Sequence, residues 1–103
     1  MAFSREALQQ ALELSQEIQT LAEAEDWQQL AERDERRMQL LRSCLDQGIP
    51  EAEQGFARAI LQQIQGLNDA LRTRLDKERN EVQEALKLLQ KRKEASSAYD
   101  RCP

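Results

Sequence analysis

The sequence predicts an all-α fold, a three-helix antiparallel bundle with two shorter N-terminal helices packed on one long C-terminal helix. Three observations support it. The chain of 103 residues is 40% hydrophobic and 33% charged, with only three Gly and two Pro, so few residues oppose a helix. Apolar residues recur at spacings of three and four, as on one face of an amphipathic helix. Two short breaks divide this pattern into three segments. At this length we expect a single domain, residues 1–103.

The first predicted helix covers about residues 4–23. Ser4 is a favourable N-cap residue, and Phe3 before it is placed to pack as a hydrophobic staple. The apolar residues that follow share one stripe of the helix: Ala7, Leu8, Ala11, Leu14, Ile18, Leu21 and Ala22. This stripe predicts one buried face.

The second predicted helix covers about residues 26–47, after a break that contains neither Gly nor Pro. Helix phase predicts the break, because at 100° per residue the second apolar set is centred roughly 170° from the first. Asp26, with Gln29 three residues later, also has the form of a capping box. We expect Arg37 to pair with Asp34. We also expect the large apolar residues of this helix to lie in the core: Trp27, Met38, Leu41 and Leu45.

The third predicted helix covers about residues 51–94 and is followed by a frayed tail, residues 95–103. Gly48 suits the C′ position that ends the second helix, and Pro50 suits the first turn of the next. The apolar residues of the third helix lie within about 50° of one direction: Ile60, Ile64, Leu67, Leu71, Leu75, Val82, Leu86 and Leu89. This row predicts one continuous helix.

The helices differ in length, and this difference decides which apolar residues are covered. The first two helices are each about 30 Å long, and the third is about 65 Å long. If the first two form a hairpin, they cover about half of the third, and the later part of its apolar row stays exposed. If they lie end to end along the third helix, little of the row is exposed. The sequence leaves both arrangements open.

Composition argues against several classes of function. The chain has no His, the commonest general base and metal ligand, and no Gly-rich phosphate loop. We therefore expect no enzyme activity and neither a metal nor a cofactor. No apolar run approaches the roughly 20 residues that span a bilayer, so we expect no membrane association. Two distant Cys and no signal peptide predict reduced thiols in a cytoplasmic protein.

The net charge of −4 argues against nucleic-acid binding, but the charge is unevenly distributed. Residues 1–71 carry 6 Lys and Arg against 13 Asp and Glu, whereas residues 72–103 carry 9 against 6. A solvated helix face accounts for this basic excess, and basic residues also suit a helix C-terminus. Contact with an acidic partner is the alternative interpretation, and it stays open.

Three stretches of the sequence resemble the flagellar export chaperone family FliT. Residues 24–30 (AEDWQQL) are similar to the family's W-x-x-L opening of the second helix, which continues through Asp34, Arg37, Leu40 and Leu41. Residues 60–81 contain IQGLNDAL at 64–71, ahead of a charged, Arg-containing stretch. Residues 91–99 (KRKEASSAY) resemble the family's basic run closing in Ala-Tyr. The sequence departs from the family pattern at Arg33, where an aliphatic residue is more usual.

The resemblance implies a cytosolic type III export chaperone that shields the C-terminal segment of the filament-cap protein, FliD, until export. It also implies contacts with export-apparatus components and, in some bacteria, with the flagellar master regulator. An amphipathic client helix would add its apolar face to an incomplete helical groove. The candidate partner-binding residues are Ile64, Leu67, Leu71, Leu75, Val82, Leu86, Leu89 and Tyr99.

Two other functions remain open from the sequence. The first is a homodimeric coiled-coil structural or adaptor protein, in which the apolar row pairs with a second copy. The second is a small regulator that binds a transcription factor. The oligomeric state separates the coiled coil from a monomeric chaperone.

Overall fold

The computed structural model describes residues 3–101, with side chains for residues 3–95. It contains α1 (Arg5–Glu23), α2 (Trp27–Asp46), a short 3₁₀ turn (Glu51–Glu53) and α3 (Gln54–Arg101). The described residues contain no strand, and α1 and α2 pack on α3, so the predicted all-α three-helix fold is confirmed. The chain forms two compact units, an N-terminal unit (Met1–Leu71) and a C-terminal unit (Arg72–Pro103). The single domain expected over residues 1–103 stays a prediction.

Hydrogen bonds satisfy several of the terminal backbone groups of α1. At its start, the Oγ of Ser4 accepts a bond of 3.2 Å from the backbone N–H three residues on, as the sequence predicts. At its end, the Glu25 N–H donates to the Ala22 carbonyl, and the next N–H donates to the Leu21 carbonyl. This Schellman arrangement places Glu25 in the left-handed region, with a φ of 58°. The left-handed position that ends α1 is therefore occupied by Glu25 and not by a Gly.

α2 begins directly after its N-cap residue, Asp26. One Asp26 carboxylate oxygen accepts a bond of 3.2 Å from the Gln29 backbone N–H, as in the predicted capping box. The Gln29 side chain does not complete the box by accepting from the Asp26 N–H; its amide donates to the other carboxylate oxygen, at 2.8 Å. The reason is that the Asp26 N–H already donates to the Leu21 carbonyl in the preceding turn.

The boundaries of α3 differ from the predicted ones at both ends. Gly48, with a φ of 74°, follows α2 as predicted, but Pro50 leads into the 3₁₀ turn, so α3 starts after residue 51. At the other end, α3 continues to Arg101, whereas the sequence predicted a frayed tail over residues 95–103. Residues 95–101 contain neither Gly nor Pro, and therefore no residue there opposes the helix.

The core of the N-terminal unit forms between α1, α2 and the start of α3. α1 and α2 run antiparallel, because Cys44 near the end of α2 donates to a carbonyl that precedes α1. α3 runs parallel to α1: Arg5 pairs with Glu53 near the start of both helices. Farther along, Gln19 donates to the Leu67 carbonyl. The buried cluster is Leu8, Ala11, Ala57, Ile60 and Ile64, with Phe3, Leu12, Leu40, Leu41, Ile49, Phe56 and Leu61 packed against it.

A buried arginine, Arg37, joins the three helices of this unit. Its guanidinium donates to Asp34 on α2 at 2.6 Å, so the predicted pair is confirmed. It also donates to Ser15 on α1 at 3.2 Å and to Asn68 on α3 at 2.6 Å. Arg37 is 6% exposed, and these acceptors offset the loss of water around a buried charge.

The buried face of α2 differs from the face that its large apolar residues predict. It is centred on Arg37 and Cys44, and Leu41 is half-buried beside it. Three residues expected in the core are instead 43–48% exposed: Trp27, Met38 and Leu45. They lie about 90° around the helix from the buried face. The prediction was wrong because polar residues ordinarily mark the surface, whereas acceptors on other helices allow Arg37 to be buried.

Candidate partner-binding surface

An exposed apolar row lies along α3 within the C-terminal unit. We call this set the C-terminal row: Leu75, Val82, Leu86 and Leu89. Its members range from 39% exposed for Leu75 to 61% exposed for Leu89. Every described side chain from residue 79 to residue 95 is exposed, so the row faces solvent. An exposed apolar row on a helix is a candidate surface for a partner.

The C-terminal row has the same helical phase as the buried residues earlier in α3. At 100° per residue, its four members fall within about 40° of a direction that Ile60 and Ile64 share. In the N-terminal unit, residues at this phase lie in the core, as the burial of Ile60 and Ile64 shows. In the C-terminal unit the same phase is exposed. The row is therefore a face with the composition of a core but in contact with water.

The candidate partner-binding residues differ in their burial. Ile64 is 4% exposed and belongs to the core cluster, so it is not accessible to a partner. Leu67 and Leu71, also in the N-terminal unit, are half-buried. The side chain of Tyr99 lies outside the described residues. The exposed candidates are the four members of the C-terminal row.

Charged side chains accompany the C-terminal row. Arg74 pairs with Glu78 and Lys87 pairs with Glu84, each at 3.5 Å. The basic run at residues 91–93 is exposed. Over the whole C-terminal unit, Lys and Arg outnumber Asp and Glu by nine to six. The basic excess lies outside the row itself, because residues 75–89 carry three Lys and Arg against four Asp and Glu.

Leu88 is a further exposed apolar residue, which the predicted row omits. It is 62% exposed and lies about 130° around the helix from the row. Because its position does not fit the period of the row, sequence reasoning did not select it. Leu88 therefore offers an apolar side chain on a different side of the same helix.

A second exposed apolar surface lies on α2, in the N-terminal unit. We call it the α2 face: Trp27, Met38 and Leu45. Helix phase places the three residues within about 20° of one another. At one end, Leu45 borders a groove of about 480 Å³ between the end of α2 and the start of α3, which Ile49 and Leu61 also line. The sequence did not predict this surface, because a core also requires large apolar residues at helical spacing.

Other kinds of site find little support among the described residues. Within them, no group of three His, Cys, Asp or Glu side chains is placed to hold a metal ion. Burial raises the pKa of the Cys44 thiol above its ordinary value, which disfavours the reactive thiolate. Over the part of the chain that the structure describes, none of the helices has the length and apolar character of a membrane span.

Comparison with known protein families places the chain in one of them. The family described as "Flagellar protein FliT" matches residues 5–101. No curated protein and no solved structure matches the chain. The family match includes all three helices, the C-terminal row and the α2 face. Because it spans nearly all of the 103 residues, the chain belongs to the FliT family of flagellar proteins.

Proposed function

We propose that this protein is a cytosolic type III flagellar export chaperone that binds and shields the C-terminal segment of the filament-cap protein, FliD, before export. Membership of the FliT family implies the general role, a flagellar export chaperone. The observation that carries the more specific proposal is the exposed C-terminal row. Export-apparatus components and the flagellar master regulator are further proposed partners.

The C-terminal row has the chemistry to bind an amphipathic client helix. Such a helix lays its apolar face against an exposed apolar surface. The members of the row are separated by seven, four and three residues, the spacing at which a partner helix packs along one seam. Burial of apolar surface on both sides stabilises the complex by roughly 25 cal/mol per Å². The exposed basic run at residues 91–93 would favour a client with acidic residues beside its apolar face.

Shielding follows from the same contact. A client segment with an apolar face is prone to self-association while that face is exposed to water. When the C-terminal row covers this face, the apolar surfaces of both proteins are removed from solvent. The same interface then keeps the client soluble and covers the C-terminal row of the chaperone.

The substitution Leu86→Glu tests the row as the client-binding site. Leu86 is 59% exposed, so we expect the variant to fold. A carboxylate buried in the middle of an apolar interface should weaken binding of the FliD C-terminal segment by about tenfold or more. Isothermal titration calorimetry with the purified segment measures the affinity, and circular dichroism measures the helix content. Wild-type affinity in a folded Leu86→Glu variant would contradict the proposal.

Two control variants make this test specific. Leu88→Glu introduces the same charge at an equally exposed position outside the row, and we expect it to bind the client with wild-type affinity. Ile64→Glu places the charge in the core, where an unpaired carboxylate costs several kcal/mol, comparable to the stability of a small domain. We therefore expect Ile64→Glu to unfold the N-terminal unit.

The same exposed row supports a second candidate function, a homodimeric coiled-coil adaptor. The spacing of seven, four and three residues is also suited to pairing with the row of a second copy. Multi-angle light scattering at several concentrations separates the two candidates. A strict monomer would exclude the coiled coil, and an obligate dimer that does not bind the FliD segment would exclude the chaperone.

A further inference from the structure

The groove between the end of α2 and the start of α3 has an apolar floor within the N-terminal unit. The floor is formed by Leu45, which is exposed, by Ile49 and Leu61, which are half-buried, and by the buried Ala57. Its volume of about 480 Å³ lies within the range of sites that bind ligands in proteins. The groove is therefore large enough to accept aliphatic side chains of a partner.

The described residues that line this groove include one charged side chain, the exposed Arg58. The polar residues around it are the amides Gln54, Gln62 and Gln65. Arg58 is the only charged residue in the stretch 54–62, so no carboxylate lies within one turn of it along α3. Among the described residues, Arg58 forms no ion pair. Its guanidinium is therefore available to a partner at the edge of an apolar floor.

The carboxylates nearest to the groove along the chain do not line it. Asp46 follows Leu45, and its side chain leaves α2 about 100° around the helix from that residue. Glu53 pairs with Arg5, and neither Glu53 nor Glu51 lines the groove. Salt screens exposed charges beyond about 8 Å at physiological ionic strength. The charge that a bound segment meets at contact distance is therefore positive, although the N-terminal unit as a whole is acidic.

We propose that this groove binds a short acidic, amphipathic segment of a second protein, distinct from the client. Aliphatic side chains of the segment lie on the apolar floor, and a carboxylate binds Arg58. A guanidinium can form two parallel hydrogen bonds with a carboxylate, which fixes the position of the segment as well as its charge. The glutamine amides around the groove can donate hydrogen bonds to the segment and accept them from it.

The shape of the surface favours a protein segment over a compact small molecule. The α2 face continues from the groove through Leu45 to Met38, about 10 Å farther along the helix. An elongated apolar surface of this kind accommodates an amphipathic segment. The groove contains no member of the C-terminal row, so the second protein and the client bind different residues. This inference therefore goes beyond the proposed function.

Synthetic peptides test the proposed chemistry on the full chain. The probe is a short peptide with Leu at helical spacing along one face and Glu beside these Leu; the reference peptide has Lys in place of each Glu. In a nuclear magnetic resonance titration, the probe should shift the amide signals of the groove residues and the Nε–H signal of Arg58. It should bind about tenfold more tightly than the reference peptide. Equal affinity for the two peptides, or shifts confined to the C-terminal row, would overturn the proposal.

Three variants separate the charge of the groove from its apolar floor. Arg58→Glu should weaken binding of the Glu peptide about tenfold or more and make the Lys peptide the tighter ligand. Arg36→Glu is the matched control, because Arg36 is exposed on the side of α2 opposite Leu45, and it should bind as wild type does. Leu45→Ser should weaken binding of both peptides. These positions are exposed, so circular dichroism should show wild-type helix content. Wild-type affinity for the Glu peptide in folded Arg58→Glu or Leu45→Ser would contradict the proposal.

The purified FliD C-terminal segment separates the failure of this inference from the failure of the proposed function. At saturation, it should leave the Glu peptide bound, and Leu86→Glu should bind the peptide with wild-type affinity. If the FliD segment displaces the peptide, the groove is a client site and the inference of a second protein fails. If the peptide binds in the groove but the FliD segment does not bind to the chain, the proposed function fails and the inference stands.

Discussion

Arg37 occupies the position on α2 that an apolar residue would ordinarily take. It is buried, and its guanidinium joins Ser15, Asp34 and Asn68 from three helices. Its Nε is nevertheless buried without a hydrogen-bond partner among the described residues. A buried cation that is incompletely paired contributes less to stability than its number of contacts indicates. Much of its contribution should therefore come from the volume that its side chain fills.

A pair of substitutions at Arg37 separates volume from charge. Arg37→Ala removes both, and it should lower the free energy of unfolding by about 2–4 kcal/mol. Arg37→Met keeps most of the volume and removes the buried charge, so it should lower that free energy by only about 1 kcal/mol or less. Urea denaturation followed by circular dichroism measures both. Equal losses in the two variants would show that the hydrogen bonds, and not the packing, determine the stability.

Only part of this residue-scale network could be predicted from the sequence. The pair of Arg37 with Asp34 could be, because residues three apart on a helix are neighbours. The bonds to Ser15 and Asn68 could not, because they depend on how α1 and α3 approach α2. For the same reason, the exposure of Trp27 escaped prediction, since the burial of Arg37 sets which face of α2 points inward.

The turn between α1 and α2 contains a residue in an unfavourable backbone conformation. Glu25 adopts a φ of 58°, which costs a residue with a Cβ about 1–2 kcal/mol. Glu25→Gly removes this cost but raises the entropy of the unfolded chain. We expect a net rise in the free energy of unfolding of about 0.5–1 kcal/mol, measured by thermal and urea denaturation.

Glu25→Ala is the matched control, because it removes the carboxylate but keeps the Cβ. We expect it to leave the stability nearly unchanged. If Glu25→Ala stabilises the protein as much as Glu25→Gly, the carboxylate, and not the backbone conformation, is the source of the strain.

Most helix boundaries could be predicted, because they depend on local chemistry. The caps at Ser4 and Asp26 and the left-handed Gly48 all follow from residue type. The end of α3 could not, since no breaker marks it and propensity alone sets how far it extends. At Arg33, where the sequence departs from the family pattern, the side chain pairs with Glu17 on α1 at 3.0 Å, so this position makes a polar contact between the two helices.

For the whole molecule, the existence of the row could be predicted, but the accessibility of its members could not. Ile64 and Leu86 lie within about 40° of each other in helical phase and have similar chemistry, so periodicity does not distinguish them. Burial separates them: Ile64 is in the core, and Leu86 is exposed. The comparison of helix lengths offers this difference as one of two outcomes, because a hairpin of two short helices covers about half of a helix of about 65 Å, whereas two helices end to end cover most of it. The α2 face had no comparable signal in the sequence.

The backbone amides of α3 should therefore exchange with deuterium at two very different rates. Amides near Ala57, Ile60 and Ile64 are protected by the buried core, so their exchange requires the N-terminal unit to open. Amides at residues 79–95 belong to helix turns whose described side chains are all exposed, and such turns open locally at little free-energy cost. Exchange followed by mass spectrometry should show fast uptake at residues 79–95 in the dilute chain. Any occupant of the row, whether client or second copy, should then slow uptake along this part of α3 and leave the core amides unchanged.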